Sequence, residues 1–231
     1  MENNIVTKCI EFYGLPGCGK STVSHELVKV LLKQGYSVIE PIYILDHKKR
    51  PIIRKILKIT ATIKFIIKKP LFFKKIIKII LRFSDITNTF SNIISFTTKF
   101  YYLDKYHGKV DFIVFDEGII QGIVSIMIDN LKFANKITEI YFEIIDGKYR
   151  ILPVYIDESV TCSLKNMNKR ETNDSRVEKI KDNNKKANIM NRYLICFTNI
   201  HIKNTIYIVN NIRSIKSKIH FILNSLDKDK V

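Results

Sequence analysis

The run Gly14-Leu15-Pro16-Gly17-Cys18-Gly19-Lys20-Ser21 constrains the fold of this chain more than any other stretch. It satisfies G-x-x-x-x-G-K-[ST], a pattern that has a mechanism only where a strand runs into it and a helix leaves it. Both flanks fit. Residues 9–13 form a short apolar run, and residues 21–34 carry Val23, Leu27, Val30 and Leu31 at helical spacing. Gly35 is placed to cap that helix, and residues 36–40 predict a second strand stopped by Pro41. The chain thus opens with a βαβ unit, which requires parallel strands. Glycine is scarce, eight in 231 residues, yet three fall within the six positions 14–19. That clustering lets the backbone curl until successive N–H groups, from about Gly17 to Ser21, face one anion at the positive end of the following helix. Gly14, Gly17, Cys18, Gly19, Lys20, Ser21 and Thr22 are therefore the expected nucleotide-phosphate contacts. Lys20 would bring a mobile charge to the β and γ phosphates of ATP. The Ser21 hydroxyl would face Mg²⁺, which prefers oxygen ligands.

Further apolar, β-rich runs occur at residues 112–115, 154–156 and 205–209, with long helical patterns between them and a last helix expected over residues 212–226. Strands alternating with helices predict an α/β protein, a doubly wound and mainly parallel sheet covered on both faces. A length of 231 residues fits one domain spanning 1–231, able to bury a core without disulfides. Cys9, Cys18, Cys162 and Cys196 are scattered without ligand spacing, no secretory h-region precedes them, and a reducing cytoplasm is expected. No apolar run approaches the roughly 18–20 residues of a membrane span. The five histidines form no ligand pattern, so no metal beyond Mg²⁺ is expected.

Charge is unevenly spread. Of 39 Lys and Arg, 13 lie in residues 48–82, which hold no Asp or Glu; the remainder of the chain has 26 basic against 22 acidic residues. The Ile, Lys and Asn excess throughout makes a lysine count weaker evidence than usual, so position matters more than number. On a helical wheel, Ile52, Ile53, Ile56, Ile59, Ile63, Ile66 and Ile67 fall opposite Arg54, Lys55, Lys58, Lys68 and Lys69, and Pro70 ends this helix. In residues 71–83, Lys74, Lys75, Lys78 and Arg82 form a stripe opposite Phe72, Phe73, Ile76, Ile77, Ile79 and Ile80. Three readings of this amphipathic pair compete: an anionic membrane surface, a nucleic acid or other polyanion, or an Ile and Phe face packed on the core with lysines in water.

Residues 110–118 place Asp116 just past an apolar strand, where a carboxylate can hold the Mg²⁺ shell beside the phosphate loop, with Glu117 as the other candidate. At this point the chain resembles the thymidylate kinase and deoxynucleoside kinase group of P-loop enzymes. Glu40-Pro41 is similar to the Glu-Pro that group carries after its second strand, and Asp116-Glu117-Gly118 occupies the place of its Asp-Arg or Glu-Arg motif, without the arginine. Residues 154–157 and the helix ending in Lys169-Arg170 look like its fourth strand and the entry to its arginine-bearing lid, at about residues 160–180, with Arg176 further along. Residues 205–211 look like its final strand. The likeness covers most of the chain except about residues 45–105. It implies phosphoryl transfer from ATP to a small-molecule acceptor, a nucleotide or nucleoside, with Lys20, Asp116, Arg170 and Arg176 in catalysis. Glu40 is either a general base for a hydroxyl acceptor or a strand-end carboxylate that faces solvent or orients a lid residue. The alternative is an ATP-binding regulatory or anchoring protein with slow hydrolysis, held at a membrane or polyanion by residues 48–82. A homodimer is compatible with either.

Overall fold

The computed structural model of the protein describes residues 6–48, 50–83, 86–145, 147, 149–169, 177, 180–209, 212 and 214–228. In chain order the elements are β1 (Lys8–Gly14), α1 (Lys20–Lys33), β2 (Val38–Ile39), α2 (Pro41–Lys48), α3 (Pro51–Lys68), α4 (Pro70–Phe83), α5 (Ile86–Tyr106), β3 (Phe112–Phe115), α6 (Ile119–Met127), a 3₁₀ turn (Leu131–Lys136), α7 (Ile137–Ile145), β4 (Arg150–Ile156), α8 (Val160–Asn168), α9 (Asn183–Thr198), β5 (Ile206–Ile208) and α10 (Ile215–Lys228). Proline opens α2, α3 and α4, the position where its missing N–H has no helical partner to lose.

The five strands make one parallel sheet in the order β2-β3-β1-β4-β5. Central β1 pairs with β3 on one side, Ile10 beside Val114, and with β4 on the other, Ile10 beside Leu152. Helices α1 and α10 cover one face; α6, α7 and α9 cover the other, with α5 packed behind α6. Strands buried on both faces need continuous apolar sequence, which is why Phe112–Phe115 is four buried hydrophobic residues in a row. Because the strands are parallel, every connection carries the chain back to their amino ends, so the turns after β1, β2 and β3 lie together at the carboxyl ends, where open α/β sheets bind ligands. The second strand is shorter than its sequence predicts, since only Val38 and Ile39 reach β3. The fourth is longer, because its neighbour β1 pairs with it from Lys8 to Gly14.

Glu11 is the exception in β1. It is fully buried, accepts the Ile119 N–H at the start of α6, and accepts a further hydrogen bond from the Tyr141 hydroxyl. Burial outweighs these bonds and the nearby Lys99 charge, pushing the carboxyl up to about 7 from its ordinary 4.5. A folded-state pKa above the unfolded one means that the native protein holds the proton longer. The contribution of this one group to stability should therefore be greatest below pH 4.5 and be lost as the pH rises through about 7, on the order of 3 kcal/mol. Urea unfolding at both ends of that window should show this slope in the wild type and a much flatter one in Glu11→Gln; equal slopes would refute the assignment.

The two basic helices behave differently. Helix α4 packs as its wheel predicts, with Ile76, Ile79, Ile80 and Phe83 buried and Lys74, Lys78 and Arg82 exposed. In helix α3 the core-packed reading, one of the three that the sequence left open, does not hold: its buried residues are Ala61, Thr62 and Phe65, whereas Ile52, Ile56, Ile59, Ile63 and Ile67 are exposed. Polar and aromatic partners set this roll. Asp46 of α2 draws Lys58 Nζ to 2.8 Å and Arg54 Nε to 3.8 Å. The Thr62 hydroxyl meets that of Thr97 on α5 at 2.7 Å, and Phe65 joins Phe72 and Phe100 in an aromatic cluster. Lys69 pairs with Asp104. Small residues at the α3–α5 seam permit close approach, and the bulky isoleucines are left outside. Among the described residues no helix is long and apolar enough to cross a membrane.

Candidate active site

The loop between β1 and α1 is shaped by backbone that only glycine adopts freely. Gly17 and Gly19 have φ of 83° and 93°, and a Cβ on Gly17 would strike the Ser163 carbonyl of α8. The loop is also held from outside. Gln121 of α6 accepts the Gly14 N–H through its side-chain oxygen at 3.1 Å, and Asn166 of α8 donates to the Gly17 carbonyl at 3.2 Å. At the start of α1 the first-turn N–H groups have no partner within the helix, so the curl presents donors to an anion. Lys20 is buried and folds back over the loop, donating to the Gly14 and Leu15 carbonyls, both at 3.0 Å. Its Nζ lies 3.9 Å from the exposed Glu117 carboxylate. Cys18 is buried within the loop, and Thr22 is exposed one position beyond Ser21.

Strand β3 delivers Asp116 to this loop. The Ser21 hydroxyl donates to Asp116 Oδ2 at 2.9 Å, which joins residues 95 positions apart. The other oxygen, Oδ1, is buried with no hydrogen-bond partner among the described residues. Burial and the Glu117 charge raise the Asp116 pKa, against the Ser21 hydrogen bond and the Lys20 and Lys99 charges. An orphaned buried carboxylate oxygen next to a serine hydroxyl is a donor set that suits a hard divalent cation.

Glu40, after β2, completes the cluster. It is 4% exposed, accepts from the Ser24 hydroxyl through Oε1 at 2.9 Å, and meets His25 Nδ1 through Oε2 at 3.1 Å. His25 stacks on Tyr43 with ring centroids 4.2 Å apart. Burial raises the Glu40 pKa; the His25 and Ser24 hydrogen bonds oppose this, and the negative charge of Asp116 adds to it. The carboxylate is thus buried against α1 and does not face solvent.

Lys99 is a site residue that the sequence reading did not identify. It is buried on α5, donates to the Gly118 carbonyl at 2.9 Å, and has its pKa lowered by burial against the charges of Glu117, Asp116 and Glu11. It therefore sets a positive charge next to the Asp116-Glu117-Gly118 turn. The signal was present: Lys99 shares a helical stripe with Phe96, Phe100 and Leu103, all buried, and a lysine in an apolar stripe invites a search for its partner. Beside this turn lies a cavity of about 150 Å³, lined by Asp46, Lys58, Lys99, Asp116 and Glu117 together with Ile42, Ser95 and Thr98. A larger cavity of about 400 Å³ opens between Leu31, Asp111 and Arg150, at the amino ends of the strands and away from the loop. Arg170 and Arg176 lie outside the described residues; α8, which leads toward them, ends at Asn168.

No family model and no curated protein matches the chain. Solved structures do. Deoxyadenosine kinase from M. mycoides with the products dCMP and a flexible dCDP bound aligns at a TM-score of 0.50 and 17% identity, over 95% of this chain and 99% of that one. The same enzyme with bound dATP aligns at a TM-score of 0.52, with the same identity and coverage. A parallel sheet of order β2-β3-β1-β4-β5 with a phosphate-type loop after its central strand, superposable on those structures along nearly its whole length, gives this chain the P-loop kinase fold.

Proposed function

We propose that the protein is an ATP- and Mg²⁺-dependent kinase that phosphorylates a hydroxyl group of a small polar acceptor, of the nucleoside or nucleotide class. The observation that carries this reading is the convergence of the phosphate-type loop, the Ser21–Asp116 pair and the buried Glu40 at one end of the sheet, beside a cavity lined by charged groups. Loop N–H groups and Lys20 bind the β and γ phosphates, and Lys20 exchanges the Gly14 and Leu15 carbonyls for phosphate oxygens as it does so. Ser21 and Asp116 would hold Mg²⁺, whose charge would offset that of the transferring phosphoryl group. Glu40 accepts the proton of the acceptor hydroxyl while the hydroxyl oxygen bonds to the γ phosphorus and the bond to the ADP oxygen breaks. Its raised pKa makes it a stronger proton acceptor than an exposed carboxylate. Lys99 supplies positive charge beside the turn that lacks the arginine of the resembled group; by that resemblance Arg170 and Arg176, outside the described residues, would lend their charge to the transferring phosphoryl group.

The acceptor is identified by incubating the protein with γ-labelled ATP and a panel of nucleosides, nucleoside monophosphates and sugars. Label is expected on the hydroxyl of a nucleoside or nucleotide. Slow release of inorganic phosphate with no labelled acceptor would overturn the kinase reading and favour an ATP-binding regulatory protein.

A further inference from the structure

Helix α3 lays a file of isoleucines on the protein surface. Ile52, Ile56, Ile59, Ile63 and Ile67 are 73%, 56%, 45%, 51% and 75% exposed, and Leu71 at the start of α4 is 83% exposed. The spacing of four, three, four and four residues keeps all five isoleucines on one side of the helix, and at 1.5 Å per residue the file runs for about 22 Å. Single exposed apolar residues are ordinary, but an unbroken file along a whole helix marks an interaction surface. Lysines border it. On the wheel Lys55 lies toward one edge of the file and Lys64 toward the other, and both are exposed; Lys68 lies on the α5 side with Phe65 and Asp104 and is not part of this surface. Arg54 and Lys58 are turned toward Asp46 and are not part of this surface.

We propose that α3 docks on the surface of an anionic lipid bilayer. The isoleucines enter the boundary between headgroups and acyl chains, and Lys55 and Lys64 extend along their stems to the phosphate headgroups. Charge complementarity selects this occupant. A second copy on the same face would oppose two lysine-bordered files, and residues 48–82 contain no carboxylate to pair with them. A nucleic acid would satisfy the lysines but leave the isoleucines in water, and the file offers no aromatic ring on which bases stack. A bilayer with anionic headgroups meets both requirements at once. Lys58 lines the cavity beside the Asp116-Glu117-Gly118 turn from the opposite side of the helix, so the docked face and the proposed active site do not compete.

The chain has no tryptophan, so Ile63→Trp makes a lone fluorophore in the file of the full-length protein. Its emission should shift to the blue with vesicles of seven parts phosphatidylcholine to three parts phosphatidylserine, and much less with phosphatidylcholine alone. Wild-type protein should sediment with the anionic vesicles, and raising the ionic strength should release part of it. The double variant Ile56→Gln/Ile63→Gln, which keeps helix propensity, should bind those vesicles at least tenfold more weakly with unchanged circular dichroism and Tm. Three results would overturn the proposal. One is no emission shift and no sedimentation with either vesicle. The second is a wild-type dimer in sedimentation velocity that the double variant dissociates, which would assign the face to a second copy. The third is binding of single-stranded DNA that survives the double substitution while vesicles are ignored.

Discussion

Lys20→Ala is expected to lower kcat by about 10²–10³, the loss seen when one well-placed donor to a developing charge is removed. The structure explains why the effect should fall on chemistry and nucleotide binding and not on folding. Lys20 is buried because it folds over its own loop, where its ammonium group donates to the Gly14 and Leu15 carbonyls and lies near Glu117. The loop itself is anchored by Gln121 and Asn166, which the substitution leaves alone. Without the ammonium group, the phosphates would approach Asp116, Glu117 and Glu40 with one fewer compensating charge. Steady-state kinetics and nucleotide binding on a variant with wild-type Tm read this directly; unchanged ATP affinity and turnover would remove the loop from the mechanism.

Glu40→Gln should cost about 10²–10⁴ in kcat with a hydroxyl acceptor, the usual contribution of a positioned general base. Glutamine keeps the shape, and its carbonyl oxygen can still accept from Ser24, so the loss reports proton acceptance more than a displaced side chain. The pH profile gives a second reading. Burial holds the Glu40 pKa above the ordinary carboxylate value, so the acidic limb of kcat/KM in the wild type should lie above that value and disappear in the variant. An acceptor that is already a phosphate needs no base, and with such an acceptor the variant should turn over like the wild type. Wild-type kinetics with every hydroxyl acceptor tested would reduce Glu40 to an anchor for His25 and Ser24.

The sequence by itself determined the features that are local in the chain. A strand, a glycine-rich curl and a helix occupy consecutive positions, so residues 8–33 were legible as a phosphate-type loop, and Phe112–Phe115 followed by Asp116 was legible as a buried strand with a carboxylate at its end. Tertiary structure decided what depends on distant partners. Asp116 meets Ser21 across 95 positions, and Glu11 meets the start of α6 across 108, contacts made by the parallel sheet and not by any local pattern. Lys99 became a site residue only when α5 packed behind α6 and brought its ammonium group to the Gly118 carbonyl. Helix α3 states the lesson most directly. Periodicity shows that an apolar stripe and a basic stripe exist, but it carries no information about which stripe turns inward. Asp46, Thr97 and Phe100 made that choice, because satisfying two cations, a hydroxyl and an aromatic cluster fixed the roll of the helix and left its isoleucines to the outside.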